Sequence, residues 1–313
     1  MDLVFMGTPG FAVPALAELA ASRHRVLAVV TNPDRPQGRG QRAAPPPVKV
    51  AAGRLGLLVL QPESVRAPGL PEELRALRPD LFVVVAFSVL PRRLLRVPRL
   101  GSVNLHPSLL PAYRGAAPIP WAVICGEAET GLTTFLLSPQ VDAGDILARR
   151  RVPIGPEETA GELEERLSRL GADLVLQTVE DLEAGRARPE PQPQEGATPA
   201  PKLTREDARL DWTRPTEALR NLIRGTNPAP GAFTEWGGTL LKVHRAQAHP
   251  VLRQAAPGTV LEADARAGLV VATGDGALLL TLVQPAGRTA MSGAAFARGN
   301  AVEPGMRLGS PGA

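Results

Sequence analysis

The sequence has little that would suit an extracellular or membrane-embedded protein. Cys125 is the only cysteine among 313 residues, which excludes an internal disulfide and a cysteine-rich zinc site. The longest apolar run, 81–90, is interrupted by Ser88 and is far shorter than the roughly 20 residues that cross a bilayer. The N-terminus lacks the basic patch and smooth apolar helix of a signal peptide. We therefore expect a cytoplasmic protein without membrane contact.

Aromatic side chains are also scarce, at 4% of the residues, whereas hydrophobic residues make up 44%. The interior must therefore be filled mainly by aliphatic side chains and alanine, and a chain of this length is expected to form two domains. Cys125 follows an apolar helical pattern, so we expect it to be a small core residue.

Several nucleotide and hydrolase motifs are absent. The chain has no Gly-x-x-x-x-Gly-Lys-Ser/Thr and no Gly-x-Ser-x-Gly, which argues against a P-loop NTPase and against a hydrolase with a nucleophile elbow. The segment 7–10 has glycines in the spacing Gly-x-x-Gly, and Pro9 removes a backbone donor that a phosphate would use. We therefore expect an ordinary strand-to-helix turn there and no dinucleotide-binding turn. No metal site is expected.

The charge is positive overall but unevenly distributed. Residues 1–150 carry a net charge of +6, 151–206 carry −5 and 207–313 carry +3, with a pI near 9.9 for the whole chain. Two basic regions flank an acidic middle, which favours a nucleic acid partner. The basic residues are almost all arginine, a composition that a GC-rich genome explains equally well.

The N-terminal half alternates short apolar runs with helical patterns. The expected strands are 3–6, 26–31, 57–60, 81–86 and 103–105, and the expected helices are 11–21, 48–54, 71–77 and 92–95. This alternation predicts an α/β domain with a doubly wound, mostly parallel, Rossmann-like sheet. Thr159 and Glu162 form a capping box that starts a further helix, which continues to Gly185.

Five proline residues within 186–206 predict a semi-rigid, extended connector. The expected domains are therefore 1–185, which would be catalytic, and 207–313, with 186–206 as the linker. The last domain has five short apolar runs between 232 and 282 that alternate with glycine-rich turns, which predicts a small β-barrel of the OB type.

The most informative motif is Asn104-Leu105-His106-Pro107-Ser108-Leu109-Leu110-Pro111, followed by Asp142-Ala143-Gly144-Asp145. Asn104 and His106 lie two residues apart on a predicted strand and so point to the same face. An amide donor beside an imidazole suits acyl transfer, which develops an oxyanion and must move protons. Asp142 could orient the ring. Any one of these residues alone is more often a turn or cap residue, but the ordered set is far less frequent by chance.

These residues resemble the folate-dependent formyltransferases. The similarity covers nearly the whole chain; the matching segments are 5–9, 33–36, 38–40, 104–111, 114–119 and 142–145, with weaker matches at 202–203, 223–224, 272–276 and 284–287. The segment 86–91 is a residue shorter than is usual in the family, and Pro120 stands where the family typically has glutamine.

The resemblance implies transfer of a formyl group from 10-formyltetrahydrofolate, the co-substrate, to the α-amine of methionine on initiator tRNA. It implies catalytic roles for Asn104, His106 and Asp142. Protonated His106 and Asn104 would stabilise the oxyanion, and Asp142 would charge the imidazole. Folate would contact Ser108, Leu109, Leu110 and Pro111, together with the loop after residues 81–86.

The segment 31–54 is rich in arginine, and the resemblance implies that it grips the tRNA acceptor end. The expected tRNA-binding residues are Arg35, Arg39, Arg42 and Lys202. The protein is expected to act as a monomer. Two alternatives remain open: a formyltransferase for a small amine, either glycinamide ribonucleotide or an amino sugar nucleotide, and a noncatalytic RNA-binding protein.

Overall fold

The computed structural model describes residues 1–37, 42–250, 255–264 and 268–309. The chain forms two compact units. The first contains residues 1–118, 129–153 and 164–200, and the second contains 119–128, 154–163 and 201–313.

Up to residue 200, the strands are β1 (Asp2–Gly7), β2 (Arg25–Val30), β3 (Arg35–Gln37), β4 (Arg42–Ala44), β5 (Val59–Leu60), β6 (Leu81–Val85), β7 (Ser102–His106), β8 (Arg114–Gly115), β9 (Glu129–Leu136), β10 (Ile146–Pro153) and β11 (Pro199–Ala200). The helices are α1 (Val13–Ala21), α2 (Pro47–Arg54), α3 (Leu70–Ala76), α4 (Arg92–Leu95), α5 (Pro118–Ile124) and α6 (Ala160–Glu183), and a 3₁₀ helix spans Gly10–Ala12.

Seven of these strands form the central sheet of the first unit, in the order β10-β9-β7-β6-β1-β2-β5. The neighbours from β7 to β5 are parallel, whereas β9 is antiparallel to both of its neighbours, β7 and β10. Strand β8 pairs with β11, and β3 pairs with β4 in a hairpin. The parallel strands are nearly continuous buried apolar runs because helices cover both faces of such sheets.

The two faces of β7 differ: one packs against α6, and the other carries Asn104 and His106. Leu105 points to the face covered by α6, where a side chain at Gly171 would come within 2.6 Å of the Leu105 methyl group. Glycine therefore lets the helix approach the sheet closely. Asn104 and His106 point to the opposite face because side chains alternate along a strand.

In the second unit, the structure has strands β12 (Phe233–Trp236), β13 (Thr239–His249), β14 (Val260–Asp264), β15 (Gly268–Ala272), β16 (Ala277–Pro285) and β17 (Met291–Ser292), and helices α7 (Thr216–Gly225) and α8 (Gly293–Gly299). A 3₁₀ helix spans Glu206–Ala208. The sheet is antiparallel, in the order β12-β13-β16-β15-β14, with β17 on β16. Its core includes Leu222 of α7 and Phe296 of α8, which are 2% and 1% exposed.

The predicted fold class is confirmed. The first unit has a sheet dominated by parallel strands, and the second is a small, strand-rich antiparallel domain. The capping box is present, since Glu162 accepts from the Thr159 amide at 2.9 Å and the Thr159 hydroxyl accepts from the Glu162 amide at 3.3 Å.

Two segments from the first half of the chain belong to the second unit, 119–128 and 154–163. Both lie against α7. A side chain at Gly126 would meet the Asn221 amide at 2.7 Å, and Arg220 forms an ion pair with Glu157 at 2.8 Å. Sequence alone placed them within 1–185 because their partners are distant along the chain.

The expectation for Cys125 was wrong. Its side chain is exposed, and it lies one residue beyond the end of α5 at Ile124. In the part of the chain that the structure describes, no helix is both long enough and apolar enough to span a membrane.

Two leucines in the first unit test the burial of its core. Leu16 on α1 is fully buried, and Leu58 before β5 is 52% exposed. We expect Leu16→Ala to lower the free energy of unfolding of this unit by about 2–5 kcal/mol, because it leaves a cavity. The matched Leu58→Ala should change it by no more than about 0.5 kcal/mol. Urea titrations compare the two variants, and equal losses would contradict the assigned core.

Candidate active site

An open cleft of about 440 Å³ lies at the carboxyl end of the parallel strands. Its described lining residues are Val84, Phe87, Ser88, Val89, Leu90, Leu95, Asn104, Leu137, Ser138, Gln140, Val141 and Asp142. Ligands bind doubly wound sheets at this edge. Val89 and Val141 are 67% and 56% exposed, so the rim of the cleft presents apolar surface to solvent.

Asn104 reaches the cleft from the middle of β7. It pairs with Val84 on one side and with Phe135 on the other, so its backbone is held within the sheet while its half-buried amide lines the cleft. The strand thus places at the cleft an amide group that can donate a hydrogen bond.

His106 ends β7 and is 4% exposed. Its Nε2 lies 2.8 Å from the Tyr113 carbonyl oxygen. A carbonyl can only accept, so Nε2 must carry the proton and donate it. In the neutral ring this leaves Nδ1 as the acceptor, and Nδ1 faces Asp142.

Asp142 is held by a tight turn after β9. Its φ is +49°, a left-handed conformation that aspartate tolerates better than most residues. A side chain at Gly144 would come within 1.7 Å of the Leu136 carbonyl oxygen, so only glycine fits there. The Asp145 carbonyl accepts from the Leu136 amide at 2.8 Å, which folds the turn back on the strand.

The Asp142 carboxylate contacts both the backbone and the imidazole. Oδ2 accepts a hydrogen bond from the Gly115 amide at 2.9 Å. The same oxygen lies 3.9 Å from His106 Nδ1, which is an ion-pair distance but too long for a hydrogen bond. The carboxylate is thus positioned to stabilise a proton that arrives on Nδ1.

Burial lowers the pKa of His106 below its ordinary value of 6.5, and the Asp142 carboxylate and the Tyr113 carbonyl oppose only part of this fall. The imidazole is therefore neutral at pH 7 before any reaction. This differs from the protonated ring expected from the sequence, because desolvation outweighs the attraction of the carboxylate. A neutral ring can accept a proton, which suits a general base.

Backbone strain is concentrated around the site. Ala86, Tyr113 and Asp142 have φ values of +48°, +59° and +49°, whereas ordinary residues avoid this region. Ala86 precedes the cleft loop, and Tyr113 supplies the carbonyl to His106. Such conformations persist where the surrounding structure enforces them, and they are frequent at functional sites.

The four residues predicted to contact folate lie beside this site. The Ser108 hydroxyl donates to the Ala112 carbonyl at 2.6 Å, and the Leu110 side chain packs with Phe135 in a small core cluster. Leu109 packs against Gly131 of β9, and Pro111 follows Leu110 through a cis peptide bond. Among the described residues that line the cleft, none comes from 108–111.

The predicted tRNA-binding residues are only partly described. Arg35 is exposed on β3, and Lys202 is exposed in the second unit. Arg42 lies in β4, and Arg39 lies outside the described residues. Lys49, another basic residue of this region, pairs with Asp34 at 2.7 Å.

Sequence reasoning missed the groups that contribute through their backbone. The Tyr113 carbonyl fixes the tautomer of His106, and the Gly115 amide holds Asp142. The type of a residue does not reveal what its backbone groups bind. Only the glycine at position 115, whose φ is +128°, could have suggested an unusual backbone here. In the described ranges, no group of three or more His, Cys, Asp or Glu residues is arranged to hold a metal ion.

The chain belongs to the formyl transferase family. The family model matches residues 1–179, and the model of the family's C-terminal domain matches residues 202–301. The resemblance to formyltransferases is thereby confirmed. The chain is 48% identical over 310 residues to the methionyl-tRNA formyltransferase of Moorella thermoacetica, covering 99% of each chain. It is 45% identical over 309 residues to that of Bacillus licheniformis, covering 98% of each.

Among solved structures, the chain resembles HypX from Aquifex aeolicus in complex with tetrahydrofolic acid. The TM-score is 0.65 at 20% identity, over 94% of this chain. The chain spans about half of the HypX chain, 46%. At this level of identity the similarity shows a shared fold.

The pKa of His106 tests its electrostatic environment. Asp142→Asn removes the carboxylate that raises this pKa, so we expect the imidazole of the variant to titrate at lower pH than in the unmodified protein. An NMR titration of the ring measures both values. An unchanged or higher pKa in the variant would show that Asp142 does not act on His106.

Proposed function

We propose that this protein transfers the formyl group of 10-formyltetrahydrofolate to the α-amine of methionine on initiator tRNA. One observation carries the proposal. Asn104 and Asp142 line one cleft, and buried His106 faces Asp142 at 3.9 Å, in a chain that is 45% to 48% identical over 98–99% of its length to methionyl-tRNA formyltransferases.

The first step is attack of the neutral amine on the formyl carbon. The carbonyl oxygen then becomes an oxyanion, which needs a fixed donor. Asn104 supplies that donor from a strand position that the sheet holds rigidly. Its amide requires no proton transfer to do so.

The second step moves the proton of the attacking amine. Neutral His106 accepts it at Nδ1, because Nε2 already donates to the Tyr113 carbonyl. The resulting imidazolium is stabilised by Asp142 at 3.9 Å. When the tetrahedral intermediate collapses, the carbon–nitrogen bond to the folate breaks and His106 returns the proton to the departing nitrogen.

The cleft supplies the surface for the folate. Its apolar lining, including Phe87, Val89 and Val141, suits a flat ring, and Gln140 and Ser138 add polar groups. Residues 108–111 support this wall from within, since Ser108 and Leu110 are buried. Residues 108–111 would contribute to folate binding by supporting the cleft wall and through their backbone groups.

The tRNA contacts come from basic residues outside the cleft. Arg35 and Lys202 are exposed and can approach phosphates, and we assign the same role to Arg39 and Arg42. The antiparallel domain adds a second surface of the kind that small β domains offer to nucleic acids. The enzyme acts as a monomer in the cytoplasm, where methionyl-tRNA is found.

Substitution of the catalytic residues tests the mechanism. We expect Asn104→Ala, His106→Ala and Asp142→Asn each to lower kcat by at least about a hundredfold, because each removes an oxyanion donor or a proton-transfer group. Tetrahydrofolate binding should change little. The measurement is transfer of labelled formyl to methionyl-tRNA, with folate binding determined by calorimetry.

His249→Ala is the matched control, because it removes a histidine of the second unit at the end of β13. A catalytic variant with near-normal kcat would remove that residue from the mechanism. The same assay should include glycinamide ribonucleotide and an amino sugar nucleotide as acceptors. Preference for either over methionyl-tRNA would overturn the proposed substrate, and tRNA binding without formyl transfer would indicate a noncatalytic RNA-binding protein.

Arg35 tests the proposed tRNA contact. Arg35→Ala should raise the KM for methionyl-tRNA without changing the KM for the formyl donor, and should reduce the salt slope of tRNA binding by about 1. Arg75→Ala removes an arginine that pairs with Glu72 on α3, and should leave both values unchanged. Salt titrations of tRNA binding distinguish the two. If the variants behave alike, Arg35 makes no phosphate contact.

A further inference from the structure

The proline-rich connector, residues 186–206, contacts the candidate active site. Its residues 186–201 lie outside both segments that match the family models. Within them, Glu190 exchanges two backbone hydrogen bonds with Ile146, at 2.7 and 2.8 Å, directly after the Asp142 turn. Further along, β11 pairs with β8, and the Thr198 carbonyl accepts from the Arg114 amide at 2.8 Å. The connector therefore holds both segments that orient the His106–Asp142 pair.

Gln192 links these two segments through its side chain. Its Nε2 donates to the Asp142 carbonyl at 3.0 Å and to the Gly144 carbonyl at 2.7 Å. Its Oε1 accepts from Arg114 Nη2 at 2.7 Å and from Nε at 3.2 Å. The arginine accepts no hydrogen bond, so it fixes which end of the amide is oxygen and directs the NH₂ group toward the turn.

Asp142 is consequently held at both ends by the same short segment. Its carboxylate accepts from the Gly115 amide, and its carbonyl is tied through Gln192 to the neighbouring Arg114. This matters because the φ of +49° at Asp142 is unfavourable and needs support from its surroundings. Without the two bonds to the carbonyls, the turn could relax and move the carboxylate away from His106.

We propose that Gln192 is a positioning residue for the reaction, which fixes the backbone of Asp142 and so sets the distance of its carboxylate from His106. The inference rests on the proposed formyl transfer. It gives the proline-rich connector a part in the chemistry beyond joining two domains. A displacement of about 1 Å in a catalytic group can cost up to roughly a hundredfold in rate.

The test replaces the amide with a carboxylate of the same shape. Gln192→Glu keeps the acceptor for Arg114 but sets an oxygen against the Asp142 and Gly144 carbonyls. Gln192→Leu removes the donors without adding charge. We expect each to lower kcat roughly 10- to 100-fold while the KM values for donor and tRNA stay within about twofold, because substrate binding is not altered.

Gln194→Glu is the matched control. Gln194 is exposed, lies two residues further along the connector and undergoes the same change in charge. Its kcat should equal that of the unmodified protein. Thermal unfolding of every variant is measured alongside, and a fall in kcat at unchanged Tm supports the inference.

A double-mutant cycle separates positioning from general loss of structure. If Gln192 acts through Asp142, then adding Gln192→Glu to Asp142→Asn should cause no further loss of kcat. Equal losses in both backgrounds, a normal kcat for Gln192→Glu, or an effect confined to KM would each overturn the inference. Absence of formyl transfer in the unmodified protein would instead refute the proposed function.

Discussion

The site depends on one constraint: the imidazole of His106 is buried, and its Nε2 donates a hydrogen bond to the Tyr113 carbonyl. Burial keeps the ring neutral, and the backbone carbonyl decides which nitrogen remains basic. Asp142 can then act only on the opposite side of the ring. Nδ1 therefore stays unprotonated and faces the negative charge of Asp142.

The rest of the fold supports this arrangement. Strand β7 is enclosed between β6 and β9, so Asn104 and His106 share a face that cannot shift in register without moving Leu105 out of its contact with α6. The Asp142 turn requires glycine at position 144, because a side chain there would collide with the Leu136 carbonyl oxygen. Ala86, Tyr113 and Asp142 have unfavourable backbone conformations, which the surrounding structure must stabilise.

Much of the first unit could be predicted because buried parallel strands are apolar runs, and the helices between them keep a separate period. The shared face of Asn104 and His106 followed from the two-residue repeat of a strand. The contributions of the Tyr113 carbonyl and the Gly115 amide did not, since backbone groups leave no mark in the sequence. The contacts of Gln192 could not be predicted for another reason. A proline-rich composition predicts a spacer, and it does not indicate which groups one polar side chain will bind.

The tautomer of His106 can be measured and decides whether the ring can act as the proposed base. Nitrogen chemical shifts of the ring, recorded by NMR at pH 7 on protein labelled with ¹⁵N at histidine and assigned with His106→Ala, report the state of each nitrogen. We expect a neutral ring with the proton on Nε2 and an unprotonated Nδ1. A proton on Nδ1 alone, or a doubly protonated ring at this pH, would contradict it.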